Sequence, residues 1–546
     1  MRRLSLPLSL AAIAPLFFIT TTVVGAVRWF SSVPFWDMWD GTLQFYMTEQ
    51  LKGLPAFFEQ ANEHRIILSK ILFWLDYKFF GGLSYLLIPI NVLLMFLLWG
   101  ALSVAARYLF RTNRQLTCLA SMLIAVPCFS WLQAENINWG YQSQFYLAYL
   151  LPLAALMSMA IWTHDTRRMP WFVAAIVLGI LSTVSMANGL LALPLLIAML
   201  ALSGKSTWFR MLSLIIITVV TFALWKHHYV AMPHPAAPLV EMVKFLLMFL
   251  GAPFAYIFHC DLLTLLVGAT VIGASLYLGI HWLCSTTRDP MYLALVLFAA
   301  HVGAAGVAAT IGRTHFGLGA ALAGRYETPI LLLYSTLFLL FTYLCRERLS
   351  TIAVVRTLSI IVPLVLFSSQ IATIDAVGRE LARQKMQSTL ALDLGVRDMD
   401  ALARIYPEDT VQERAQLQHV TANAIQANIS VFGLSDMKAV RDAIGKTPAS
   451  LGIETCHTNI DAVDAIPNDP DHVRLRGWAF DERTHRVPKV VYFVEGGIVA
   501  GAALTGMDRK DVESVISHDA VRSGFQGYAI TPKIDNVVFC GESVAR

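Results

Sequence analysis

Ser84-Tyr85-Leu86-Leu87-Ile88-Pro89-Ile90-Asn91-Val92-Leu93-Leu94-Met95-Phe96-Leu97-Leu98-Trp99-Gly100-Ala101-Leu102-Ser103-Val104-Ala105-Ala106 runs without a charge and is closed by Arg107. A stretch of that length and polarity crosses a bilayer as one helix, because about 20 apolar residues rising 1.5 Å each match the hydrocarbon core. The reading extends outward to similar runs at 4–27, 115–132, 143–162, 171–187, 190–203, 211–230, 262–284, 291–311, 329–345 and 351–372. Eleven spans are expected in all. The composition agrees: 56% of the 546 residues are hydrophobic and 14% charged, against about a quarter charged in soluble domains. Mean hydropathy is +0.59. A transmembrane β-barrel is excluded, since its strands alternate in short segments. A net charge of +4 is too small to point to nucleic acid, and the seven cysteines form no CxxC pair and no zinc-spaced cluster with histidine.

Polarity changes near residue 374. The expected fold is an all-α polytopic membrane domain at 1–374, a soluble helical segment at 375–450, and a small β-sandwich at 451–546. Basic loops at Arg107/Arg111/Arg114, Arg167/Arg168, Lys205/Arg210, Arg288 and Arg346/Arg348 set the cytoplasmic side. Met1-Arg2-Arg3 puts the N-terminus there, and the first run is expected to stay uncleaved despite Val24-Gly25-Ala26. All these loops share one side only if two interrupted stretches do not cross. These are 66–80, broken by Lys70, Asp76 and Lys78, and 240–258, broken by Glu241, Lys244 and Pro253. Both are expected to lie in or dip into the outer interface. An odd number of spans then places the tail outside.

The outward loops collect the unusual residues. Trp36-Asp37-Met38-Trp39-Asp40 sets two acids among tryptophans; ionised groups near hydrocarbon are costly and tend to be kept for function or paired. If that stretch is helical, Asp37 and Asp40 share a face and can split roles, one as base and one binding a hydroxyl or cation. The alternative is belt aromatics with acids that solvate the loop. Asn62-Glu63-His64-Arg65 offers an acid, a titratable ring and a bidentate donor for phosphate, or else an interfacial ion pair. Glu135-Asn136-Ile137-Asn138-Trp139-Gly140-Tyr141-Gln142 mixes carboxylate and amides with aromatics, suited to sugar hydroxyls or to a polar helix cap. Arg313, His315 and Arg325 are candidates to clamp a phosphate or lipid head group, with interfacial anchoring as the plain reading of Arg325.

This pattern resembles the GT-C-type glycosyltransferases, polytopic enzymes that use lipid-phosphate-linked sugars. In that family the first outer loop carries an acidic motif with one acid as base, and a second acid lies later in the loop. Asp37 matches the first position and Glu63 the second, while Arg325-Tyr326 before a late span resembles a pair in bacterial relatives. The likeness covers about residues 1–372. There is no adjacent Asp-Asp or Asp-Glu pair in that loop, so a metal is left unassigned and a divalent cation stays open. The resemblance implies a polyprenyl-phosphate sugar donor, a glycan or lipid-linked acceptor, contact with membrane lipids and no nucleic acid. It implies catalytic Asp37, with Asp40 or Glu63 orienting, and Arg65, Arg313 and Arg325 receiving phosphate charge.

In the tail, apolar spacings of three and four predict helices from Asp375 to about Lys446, and alternation at 473–481 and 489–494 predicts strands. The strand string resembles tails of other bacterial envelope glycosyltransferases. Cys456 and Cys540 bracket it and, on an oxidising side, form a disulfide worth about 4 kcal/mol or else stay free thiols. The rival functions are a transporter or flippase of lipid-linked sugar and a non-catalytic envelope-assembly protein. A transporter is expected to show inverted repeats and midplane charges; here there is no internal repeat and the ionisable residues gather at one surface.

Overall fold

The computed structural model describes residues 11–541 apart from 233, 234, 236, 287, 349, 408, 409, 468, 531–534 and 536; residues 4–10 of the first expected span lie outside this set. The chain forms two compact units. One comprises Met1–Arg28, Lys52–Leu72 and Leu87–Asp375; the other comprises Trp29–Leu51, Phe73–Leu86 and Ala376–Arg546. The expected boundaries fall at the end of the last span and, within the tail, near residue 450. The structure adds two pieces of the first loop to the tail's unit because Val33, Trp39, Leu43 and Tyr77 share one core with Leu390, Ile405, Leu417, Val420, Phe432 and Val440.

In the first unit, nine helices among the described residues are long and apolar enough to cross a membrane: Leu87–Leu109, Arg114–Asn138, Gly140–His164, Trp208–Lys226, Leu239–Phe258, Asp261–Cys284, Pro290–Phe316, Gly324–Cys345 and Ser350–Ile374. Ile13–Arg28, Met169–Thr183 and Ala187–Leu202 are shorter apolar helices. The eleven expected spans correspond to these three and to all of the nine except Leu239–Phe258.

Hydrogen bonds sort the helix ends. The Arg28 guanidinium donates to the Ile374 carbonyl. Arg65 donates to Trp225 O at 2.7 Å, Arg313 to Glu63 at 2.9 Å, and Asn136 to Arg325 O at 2.8 Å. Only short turns separate Arg313 from Arg325, so positions 63–65, 135–136, 225, 313 and 325 share one face. Between Trp225 and Arg313 the chain passes Leu239–Phe258, Asp261–Cys284 and Pro290–Arg313, and a return to the same face needs an even number of crossings. The Tyr256 hydroxyl donates to Leu322 O, which puts the end of Leu239–Phe258 on that face too. Leu239–Phe258, expected to lie in or dip into the interface, is long and apolar enough to cross, and it packs against its successor as a hairpin. A Cβ on Gly251 would sit 2.0 Å from Thr264 O and one on Gly268 2.0 Å from Leu247 O, so the two backbones touch where glycine removes the side chain.

Buried polar groups pin the helix ends. Gln370 accepts from Trp131 N–H at 3.0 Å and donates to the hydroxyls of Thr21 and Thr22 at 2.8 and 2.9 Å. Gly189 fits only as glycine, since a Cβ would lie 1.8 Å from Ser182 O.

In the second unit, seven strands form one antiparallel sheet in the order β1-β7-β4-β5-β6-β3-β2: β1 Glu454–Thr455, β2 His457–Ile466, β3 Asp469–Phe480, β4 Val490–Glu495, β5 Ile498–Met507, β6 Gly524–Ala529 and β7 Val538–Cys540. This corrects the expected two-layered sandwich. The second layer is helical: Val377–Asp393, Val411–Ala427 and Ser435–Ala443 cover Tyr492, Val494, Ala502 and Tyr528 in one core. The other face buries Leu475, Val491, Phe493 and Phe525. Cys456 and Cys540 are disulfide-bonded, with Cα atoms 5.3 Å apart.

Candidate functional site

The acid loop belongs to the second unit. Trp36 holds a left-handed backbone (φ 47°) directly before Asp37, a strained state for a non-glycine residue that persists only where its surroundings impose it. Its N–H donates to Ile405 O at 2.8 Å, and the ring N–H of the fully buried Trp39 donates to the same carbonyl at 3.3 Å. A wide helical turn of the π type spans Trp39–Gln44, a form frequent at functional sites, before α-helix resumes at Phe45–Lys52. Asp37 precedes the wide turn and Asp40 lies within it. Both acids are half-buried. Gly41 N–H donates to Asp37 O at 2.7 Å. The Asp40 carboxylate accepts from Gln416 Nε2 at 3.1 Å and from the Tyr406 hydroxyl at 3.4 Å.

Glu63, His64 and Arg65 belong to the first unit. Asn62 repeats the left-handed feature (φ 47°) directly before an acid, and Ala61 and His64 close the turn with a reciprocal pair of backbone hydrogen bonds. Arg313 donates to Glu63 at 2.9 Å. Desolvation, reinforced by the Arg313 cation and opposed by Glu63, pushes the His64 imidazole down to about 4. Its ring is therefore neutral near pH 7. Arg65 is buried and its guanidinium donates to three carbonyls, of Phe58, Trp225 and His227. That corrects its expected role as a phosphate ligand: the side chain caps the end of Trp208–Lys226, where helix carbonyls lack partners.

The 135–142 segment of the first unit is built around another pair. Glu135 accepts from the Arg325 guanidinium at 3.3 Å and from the Arg325 backbone N–H at 3.0 Å. Gly324 makes room for this carboxylate, since a Cβ there would come within 2.8 Å of Glu135 Oε2. Asn136 donates to Arg325 O and to the Thr328 hydroxyl, both at 2.8 Å, and Asn91 donates to the carbonyls of Asn136 and Trp139 at 3.0 Å. Tyr326 is buried with its ring 5.0 Å from that of Phe249, and Gln142 is buried with its amide oxygen unpartnered among the described residues. His315 packs its ring on Phe316, at 3.9 Å between centroids.

The structure thus joins Glu63 to Arg313, and Glu135 and Asn136 to Arg325. Among the described residues no three histidine, cysteine or acidic side chains cluster as metal ligands; Glu63 and Glu135 are neutralised by guanidinium groups instead, so these residues do not fit a divalent cation. Sequence reasoning missed Tyr406 and Gln416, which carry no local signal. It also missed Glu327, a fully buried acid whose two oxygens have no hydrogen-bond partner among the described residues; a carboxylate at the mouth of a span directly after Arg325-Tyr326 was the available sign.

No protein-family model matches the sequence, and no curated protein does. The chain is similar to the oligosaccharyltransferase of Archaeoglobus fulgidus in its apo form, with a TM-score of 0.45 at 12% identity over 77% of this chain and 64% of that one. The same enzyme in complex with Zn and sulfate gives 0.41 at 12% identity, over 74% and 61%. The chain spans less than two thirds of that enzyme's length.

Proposed function

We propose that the protein is a bacterial inner-membrane glycosyltransferase of the GT-C type, moving a sugar from a polyprenyl-phosphate carrier to a periplasmic glycan or other envelope acceptor. The observation that carries this reading is the placement of two carboxylate–guanidinium pairs, Glu63–Arg313 and Glu135–Arg325, on one face of a polytopic helical unit. Guanidinium groups at the depth of a lipid head group suit a phosphate, and a phosphate competes with each carboxylate for its cation. The acceptor hydroxyl oxygen bonds to the anomeric carbon as the carbon–oxygen bond to phosphate breaks, and the bonding pair leaves on polyprenyl phosphate. The leaving group departs as an anion, so no general acid is needed, and a neutral His64 is compatible with that. The hydroxyl proton goes to Asp37, with Asp40 or Glu63 orienting the acceptor. Arg313 and Arg325 take up the charge that develops on the phosphate.

Surface polysaccharide from cells with and without this chain, compared by mass analysis, tests the reading. Loss of one sugar from the glycan is expected. An unchanged glycan, with lipid-linked sugar crossing the membrane only when the chain is present, would favour transport instead.

A further inference from the structure

We infer that the tail segment around Ile405, Tyr406 and Gln416 is a positioning clamp for the acid loop, which makes the tail part of the reaction machinery. The inference rests on the reading of Asp37 and Asp40 as the reacting acids.

Three anchors converge on five residues of the loop. Ile405 O accepts both the Trp36 backbone N–H and the Trp39 ring N–H, and so holds the loop on either side of Asp37. Tyr406 and Gln416 then take one oxygen each of Asp40. The clamp is itself rigidly seated. Ile405, Leu417 and Val420 lie in the same core as Trp39 and Leu43, and the helix bearing Gln416 starts with a reciprocal cap between Thr410 and Glu413. Lys385, from another tail helix, sits 4.1 Å over the Phe35 ring.

The chemistry of the contacts distinguishes this from ordinary packing. Glu63 and Glu135 are each neutralised by a guanidinium, whereas Asp40 meets only neutral donors among the described residues. Neutral donors fix the direction of a carboxylate and leave its charge in place, as an acid that must orient a hydroxyl or face a cationic transition state requires. The strained backbone at Trp36 is the counterpart in the main chain: the tail holds it where the free loop would relax. Tyr406 and Gln416 act through Asp40 and are positioning residues.

The test uses the full chain in lipid nanodiscs, with radiolabelled polyprenyl-phosphate hexoses and pentoses as probes and released polyprenyl phosphate as the signal. Tyr406→Phe keeps the buried ring, and Gln416→Leu changes an exposed residue, so both are expected to fold. Each is expected to lower kcat about tenfold with KM for the donor unchanged. In an Asp40→Asn background neither is expected to lower it further. Full kcat in both single variants, or an undiminished further loss in the Asp40→Asn background, overturns the clamp. Full turnover by Asp40→Asn overturns instead the reading of the acids on which it rests. If wild-type protein turns over none of the probes, the proposed function fails, and amide hydrogen exchange at residues 36–44 still decides the clamp. About tenfold faster exchange in the Tyr406→Phe/Gln416→Leu double variant supports it, and unchanged exchange overturns it.

Discussion

Replacing Glu135 by glutamine removes the charge that holds Arg325 and leaves a carbonyl oxygen to accept the Arg325 backbone N–H, now 3.0 Å away. The ion pair lies at 3.3 Å with about a quarter of each side chain exposed. At that distance and an effective dielectric constant of about 20, the Coulomb attraction is about 5 kcal/mol. Partial exposure and screening reduce the net contribution to about 1–2 kcal/mol. If Arg325 must leave Glu135 to take a lipid phosphate, the same quantity opposes binding. Glu135→Gln is then expected to unfold about 1–2 kcal/mol more easily and to bind polyprenyl phosphate about 5- to 30-fold more tightly. Equilibrium binding of polyprenyl phosphate to the full chain in nanodiscs, beside denaturant unfolding of the same samples, reads both numbers. Weaker binding would refute the reasoning, because it would mean that Glu135 serves the ligand directly or that Arg325 does not meet the phosphate.

Gly189→Ala is expected to destabilise the first unit by about 2–4 kcal/mol, because its Cβ would overlap Ser182 O, whereas Gly100→Ala meets nothing within 4 Å and is expected to leave stability unchanged in thermal unfolding. His64 has a folded-state pKa lowered from 6.5 to about 4, so between those values the unfolded chain binds the proton and the folded chain does not. Stability contributed at this site is therefore present above pH 6.5 and lost as pH falls toward 4, and the wild type is expected to lose stability relative to His64→Gln across that window in unfolding titrations.

Much of the helical unit was legible because a span needs an uninterrupted apolar run, and charge in a run is a local signal. Glu241, Lys244 and Pro253 made 240–258 read as unlike its neighbours, yet the helix there is long and apolar enough to cross. The acids were visible for the same reason, being out of place beside tryptophan. Their partners were not. Glu63 finds Arg313 250 residues away, and Asp40 finds Tyr406 and Gln416 at separations of 366 and 376. Arg65 shows how residue type misleads: a guanidinium suits a phosphate and a set of helix carbonyls equally, and only the fold decides between them. Alternation in the tail revealed strands but could not reveal layering, since a sheet face looks the same whether helices or a second sheet cover it.

Transfer of labelled sugar from a polyprenyl-phosphate donor, measured on wild-type protein and on Asp37→Asn in nanodiscs, bears most directly on the account. The substitution keeps the size of the side chain and removes its capacity to take a proton, and a positioned base is worth about 100-fold or more in rate. The account predicts transfer by the wild type and at least that loss in the variant, with the fold and the disulfide intact. Undiminished transfer by Asp37→Asn would contradict it.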